Sequence, residues 1–480
     1  MLKDSIILTF SKGIRGVLMI IFNMIIVRVF SETLYGIFKQ TNLIINLSTS
    51  IFVLGIPTTI SYLYATAKKE NKEKLIGNTL LSLSIISLIT CFVLLVFRKQ
   101  IALFLNNEEI VNYVNIISIY VSIMIISSFL ENLYISSNSA VLLGKIYIAY
   151  VIINFAVISF ITVRFKNLDM LLISMAAIEL LRTIIMYFSI VKKEKLKLKL
   201  DYKYLMKQIK FALPLGAVSL IQNLNLYVDN LFISNQYTVE EYAAYANAAQ
   251  DIPLVGIVTV SIAAVVLPRM SKYYQDTKDP EGVLELWGES CEKTAIIMYP
   301  LFWIFLFFSS SYIRFIFSDL YVKSSTSIFA IYLLKFPLYF TVFGNPLIVL
   351  NQQKYVMINS FIGFITNIIL NTILLILFGM KGPAISTVIT QYFIDYLILR
   401  KISKTTKIAI TKLLPYKKLL KILVVPSVVV IPVYLLSRIV NLNYLIEFAL
   451  SGGIIYVLSI LIYYKLGYFK IDDIKSLVKR

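Results

Sequence analysis

No histidine occurs anywhere in the 480 residues, which removes the commonest zinc ligand and the commonest general base. Cysteine is almost as scarce. Cys91 sits in an apolar run and Cys291 in a basic loop about 200 residues further on, a placement that implies neither a disulfide nor a metal site. Charged residues make up only 15% of the chain, too few to cover the surface of a water-soluble fold. There is no GxxxxGK(S/T) loop, which argues against ATP hydrolysis by this chain. No cofactor or metal is expected.

What the chain has instead is hydrocarbon. The apolar fraction is 59% and the mean hydropathy +0.81, enough for about fourteen spans at about 20 residues each. Apolar windows fall near 8–30, 36–63, 77–97, 112–139, 146–163 and 168–191, then near 211–234, 242–268, 292–309, 326–350, 355–378 and 382–400, with a last pair near 419–437 and 444–464. The first window has no small-residue cleavage site after it and reads as a retained span. Between the two sets of six lies VKKEKLKLKLDYKYLMKQIKFAL, residues 191–213, with eight lysines.

The net charge of +20 does not gather on one basic face, so no nucleic-acid partner is expected. The lysines lie between apolar windows and report topology. With the N-terminus inside, about 33 basic residues fall in inner segments and about 8 in outer ones, the bias that cytoplasmic loops carry. Both termini are therefore expected in the cytoplasm. Outer loops stay under about twenty residues, so no extracytoplasmic domain is expected. Residues 270–291, with Leu284, Leu286 and Trp287 among charges, read as an interfacial helix. The tail 468–480 reads as a second amphipathic helix on the inner leaflet.

The two sets share landmarks. Asn23, Glu32, Tyr35 and Gly36 precede Pro57 as Asn225, Glu240, Tyr242 and Ala243 precede Pro268. The ends of spans four and ten, NSAVLLGKIY and NPLIVLNQQKY, also correspond, as do LISMAAIE and AISTVITQ in spans six and twelve. An even number of spans per copy makes these parallel repeats about an axis along the membrane normal. The expected architecture is an all-α multi-pass membrane protein of about 14 helices: an N-lobe (1–191), a basic cytoplasmic tether (192–210), a C-lobe (211–402), and residues 403–480 with two further spans and the tail.

The stretch FALPLGAVSLIQNLNLYVDNLFIS (211–234), then EEYAAYANAAQ (240–250) and VVLPRMSKYY (265–274), resembles the centre of the Wzx-type polysaccharide-repeat-unit flippases. Their superfamily also holds the MurJ-type lipid II flippases and the multidrug extruders. Pro214, Asp229, the turn Tyr242 to Ala246, and Leu267-Pro268 carry the likeness; Asn235-Gln236-Tyr237 stands where the family often has a glycine-rich turn. The resemblance implies a non-enzymatic flippase that moves an undecaprenyl-diphosphate-linked oligosaccharide to the outer leaflet of a bacterial cytoplasmic membrane by alternating access between the lobes. It further implies a monomer in membrane lipid that serves a polysaccharide polymerase. A lipid II or teichoic-acid precursor flippase, or a cation-coupled multidrug extruder, are the alternatives. A membrane polymerase or glycosyltransferase would want a large outer loop with catalytic groups.

A diphosphate crossing a low-dielectric layer needs cations, and a charge at mid-depth costs from about 2.5 kcal/mol upward unless it faces protein or water. Arg15, between Gly13 and Gly16 in the first window, is the leading candidate, because a guanidinium donates two parallel bonds to phosphate; its alternative is to snorkel to the inner interface. Arg28, Lys39 and Lys335 complete the cationic set; each alternatively snorkels to an interface. Glu131, Asp229, Asp251, Asn225 and Gln250 are the acidic or polar partners, for a coupling ion or for neutralising the arginines. Glu179 and Arg182 stand at i, i+3 and are expected to form a structural ion pair. Pro57, Pro214, Pro253, Pro268 and Pro337 are candidate hinges or static kinks.

Overall fold

Apolar runs of this length satisfy their backbone groups in lipid only as helix or closed barrel, and the described residues contain helix and no strand. The structure is a computed structural model that describes residues 2–64, 67–195, 197–440 and 443–468. It divides into two compact units, Met1–Ala246 and Asn247–Arg480. The first holds α1 (Leu2–Val29), α2 (Glu32–Phe52), α3 (Ile56–Leu63), α4 (Lys69–Val96), α5 (Arg98–Phe104), α6 (Ile110–Ser127), α7 (Leu130–Ser136), α8 (Ala140–Phe165), α9 (Leu168–Glu194), α10 (Tyr202–Gln236) and most of α11 (Val239–Ala248). The second holds α12 (Pro253–Thr277), α13 (Pro280–Phe307), α14 (Ser309–Phe317), α15 (Val322–Leu333), α16 (Asn345–Val349), α17 (Gln353–Phe378), α18 (Lys381–Thr406), α19 (Tyr416–Val440), α20 (Tyr444–Ile446) and α21 (Gly452–Lys465). A π turn over Glu447–Ser451 joins the last two.

Eight helices among the described residues are long and apolar enough to cross a membrane, or ten if each of two bent pairs is one span. That is fewer than the fourteen expected, although every apolar window contains helix. The window of α1 carries Lys12, Arg15 and Arg28, and the window at 326–350 is broken. There, α15 stops at Leu333, a 3₁₀ turn spans Phe336–Leu338 around Pro337, and helix resumes only at Asn345. Side chains such as Leu88, Ile376 and Ile439 stay 71%, 81% and 82% exposed, as side chains facing lipid do.

Two bends meet inside the first unit. The α2–α3 pair turns by 53° and α10 by 46° between Pro214 and Ser219. Gly55, in the left-handed region at φ 71°, lies with its backbone against that of Gly216, and a Cβ on either would run into the other. Side chains larger than hydrogen are excluded at this crossing.

The lysine-rich connection is tied down. Its extended part, 197–201, runs along the start of α4: the Lys197 N–H donates to Glu73 Oε1 at 3.3 Å and Lys199 Nζ reaches Glu73 Oε2 at 3.2 Å. Asn78 and Asp201 exchange two hydrogen bonds, at 3.0 and 3.2 Å. The Lys199 carbonyl sits on Gly77, where a Cβ would strike it. Asp201 caps α10 by accepting from the Tyr204 N–H at 3.0 Å. That bond first, and Lys74 second, hold its carboxyl below the usual carboxylate range. A depressed carboxyl contributes stability above its ordinary value of about 3.9 and loses it as the pH falls through the folded value, so the strap should stay docked at pH 5 and loosen only in stronger acid. Gly77→Val should lift it at neutral pH. Trypsin cleavage between Lys195 and Lys203 is then expected to quicken about tenfold, in the range set by a local opening cost of about 1.4 kcal/mol; an unchanged cleavage rate would mean that the strap does not depend on this crossing.

In the second unit, residues 270–291 do not form a separate interfacial helix. Asp279 accepts from the Glu281 and Gly282 N–H groups at 2.9 and 3.1 Å, Pro280 takes the first helical position, and α13 then runs without interruption to Phe307. The Tyr273 hydroxyl, at 2.9 Å from Asp279, and these amides hold the Asp279 carboxyl below its ordinary range. Val283, Leu284, Trp287 and Cys291 recur at helical spacing and turn inward, with Trp287 1% exposed. The indole N–H donates to Thr341 Oγ1 at 2.7 Å, and its ring meets Phe343 edge-on at 6.2 Å. The C-terminal tail expected to be amphipathic lies, from residue 469 on, outside the described residues.

Candidate functional site

Lys12 and Arg15 stand one turn apart on α1, and α1 packs along α8. Ser11 bonds to the Gly144 carbonyl at 3.4 Å, which fixes the register of the two helices. Open space surrounds the position that a Cβ of Gly13 would take. In this setting Arg15 Nη1 donates to the Tyr147 hydroxyl at 2.6 Å, with its guanidinium 5.9 Å from the centre of that ring.

Tyr147 is one turn from Tyr150, their rings 6.1 Å apart. A second guanidinium, that of Arg182 on α9, lies 4.9 Å from the Tyr150 ring. Arg182 forms the expected i, i+3 ion pair with Glu179. Glu179, 3% exposed, also accepts from Tyr150 Oη at 3.1 Å and from Ser127 Oγ at 3.2 Å. Arg182 Nε is buried without a hydrogen-bond partner among the described residues. Tyr120 of α6 adds a hydroxyl within electrostatic range of both arginines and of Glu179. Four helices thus bring two arginines, one carboxylate and three tyrosines into one polar cluster. One side of it is self-neutralised at Glu179 and Arg182, and the other, at Arg15, leans on a neutral phenol. A guanidinium with no acid beside it has donors left for an anion.

The other expected residues lie elsewhere. Lys12 Nζ pairs with Glu131 Oε1 at 2.6 Å in a half-exposed bridge. Arg28 is thirteen residues beyond Arg15, about 20 Å along the helix axis, where it is exposed and donates to the Met24 carbonyl of its own helix at 2.9 Å. Lys39 lies 5.2 Å from the Tyr35 ring near the start of α2. Asp229 is buried on α10, with Asn225 half-buried one turn before it. In the second unit Lys335 sits where α15 breaks, between the rings of Tyr332 and Tyr339 at 5.2 and 5.9 Å, and reaches the exposed Asp251 carboxylate at 3.4 Å. Gln250 Oε1 is buried without a partner among the described residues. No group of three His, Cys, Asp or Glu side chains able to hold a metal occurs among the described residues.

Tyr120, Tyr147, Tyr150, Ser127 and Lys12 were not singled out from the sequence. The signal was there for two of them. A pair of tyrosines at i, i+3 inside an otherwise apolar helix puts two hydroxyls on one face, and hydroxyls at that depth seek a polar partner.

A family profile described as a polysaccharide biosynthesis protein matches residues 25–326. No curated protein matches the chain in sequence. Among solved structures, the lipid II flippase MurJ in an inward closed conformation is 18% identical, over 96% of this chain and 99% of that one, at a TM-score of 0.76. An inward-facing multidrug resistance transporter of the MATE family, in the MOP superfamily, is 12% identical over 82% of this chain and 96% of its own, at 0.66. A Vibrio cholerae MATE transporter is 13% identical over 86% and 97%, at 0.60. At these identities the likeness is one of fold.

Proposed function

Because the chain belongs to the polysaccharide biosynthesis protein family, we propose that it carries an undecaprenyl-diphosphate-linked oligosaccharide from the inner to the outer leaflet of a bacterial cytoplasmic membrane by alternating access. Both termini lie in the cytoplasm in this reading, the chain acts as a monomer, and its product passes to a polysaccharide polymerase. The observation that carries the proposal is Arg15: a cation well inside an apolar helix, held by Tyr147 at 2.6 Å and with no acid in its hydrogen-bond shell among the described residues. Diphosphate is the group that such a guanidinium suits, since two of its N–H groups meet two phosphate oxygens. Arg182 stands one tyrosine further on, its charge already matched by Glu179. An extruder of cations would be repelled by the unmatched arginine.

The energy need not come from nucleotide. Moving negative charge outward across an inside-negative membrane gains about 2.3 kcal/mol per charge per 100 mV. The proposal is tested by depleting the protein in cells and labelling sugars from outside with a membrane-impermeant reagent. Depletion should remove the label from the lipid-linked oligosaccharide while that lipid accumulates unlabelled inside; persistent outer labelling would contradict it.

A further inference from the structure

The second unit contains a cavity that the flippase reading does not use. Its volume is about 430 Å³, and it is lined by Tyr299, Tyr392, Tyr396 and Tyr416 together with Phe and Leu side chains and Asp395. That size falls in the range of about 300–1,000 Å³ typical of small-molecule sites. Asp395 lies in the middle of α18 and is 5% exposed. Among the described residues its carboxylate has one hydrogen-bond partner, the Gln391 amide at 3.0 Å, and no cation. A carboxylate sealed at that depth without a countercharge is costly. A bound cation would relieve that cost.

The walls say what kind. The Tyr299 hydroxyl donates to the Pro337 carbonyl at 3.3 Å and that of Tyr392 to the Leu334 carbonyl at 2.9 Å, so neither donates into the cavity. The Gln391 amide is taken by Asp395. What remains is one carboxylate, the hydroxyls of Tyr396 and Tyr416, the tyrosine rings and hydrocarbon. Ring faces attract cations, most strongly where water is excluded. Lys418, beside the lining residue Leu419, is matched by Glu292 at 2.5 Å. A metal ion would want several oxygen ligands, and no second acid lines the cavity. An anionic headgroup would meet the Asp395 carboxylate.

We propose that this cavity binds an alkylated ammonium, its charge on Asp395 and its substituents against the tyrosine rings. The inference stands independently of the flippase reading, since it involves none of the residues around Arg15. It is tested on the full chain in phosphatidylglycerol nanodiscs, with empty discs subtracted, by calorimetry with benzyltrimethylammonium and with its uncharged carbon isostere, neopentylbenzene. Saturable binding of the cation is expected, at least tenfold tighter than the isostere, and at least tenfold weaker in Asp395→Asn. Tyr396→Leu, at a ring already half exposed, should weaken it severalfold and serves if Asp395→Asn does not fold. Equal binding of the neutral isostere, or cation binding unchanged in Asp395→Asn or Tyr396→Leu, would overturn the proposal. Discs containing phosphatidylethanolamine separate the sources: competition assigns the site to an aminolipid headgroup, and its absence to a free amine.

Discussion

Replacing Arg15 by alanine is expected to lower the rate of oligosaccharide-lipid appearance in the outer leaflet about ten- to a hundredfold, with the protein still inserted. The size follows from the bond removed. A hydrogen bond from a charged donor to a phosphate oxygen contributes about 1.5–3 kcal/mol, and 1.4 kcal/mol is a factor of ten. Arg15→Lys keeps the charge and loses the fork, so an intermediate rate is expected. Arg28→Ala is the matched control: that guanidinium is exposed and bonded to its own helix at the Met24 carbonyl, and its loss should change the rate less than about threefold, the range of a surface interaction. Rates are read with an impermeant sugar label and divided by the amount of membrane-inserted protein. Should Arg15→Ala and Arg28→Ala behave alike, Arg15 is an interfacial anchor.

A different signature is expected at Glu179. Its carboxylate gathers Arg182, Tyr150 and Ser127 in a nearly closed pocket, so Glu179→Leu leaves a covered guanidinium without its anion. Breaking one side of a buried pair costs about 3–5 kcal/mol, whereas replacing both partners by apolar residues is often near neutral. Glu179→Leu alone should therefore lower thermal stability in detergent by many degrees, and adding Arg182→Leu should restore most of the loss. A double variant as unstable as the single one would show that the two side chains do not act as a pair. The cycle also separates the two arginines. If the double variant folds and still transports, Arg182 is structural and Arg15 carries the headgroup alone.

Much of this was legible in the residues. Apolar length set the helices, and i, i+3 spacing alone predicted the Glu179–Arg182 pair, because both partners lie on one helix. Arg15 stood out because it lies well inside an apolar run between Gly13 and Gly16, small neighbours that leave room for a headgroup. What joined Arg15 to that pair was not legible: Tyr147 and Tyr150 on α8 bridge α1 to α9, and the packing of three helices distant in sequence is not written in any one of them. Residues 270–291 misled for a related reason. Their charges suggested a headgroup layer, yet Asp279 and Pro280 start α13, whose inward stripe runs from Val283 to Cys291 and on along the same helix. At Lys335 the hydropathy average hid a break, because Pro337 and Gly344 interrupt the helix without making the window any less apolar.

The most direct measurement is leaflet exchange of a fluorescent undecaprenyl-diphosphate oligosaccharide in liposomes holding only the purified chain, followed by quenching the outer leaflet from the bulk. The wild-type chain should make the inner-leaflet fluorophore accessible within minutes, faster with a potential that drives anions toward the quencher, and Arg15→Ala should leave it protected as in protein-free liposomes. Equal rates for the two chains, or a wild-type rate no different from bare lipid, would contradict the role given to that arginine and to the protein.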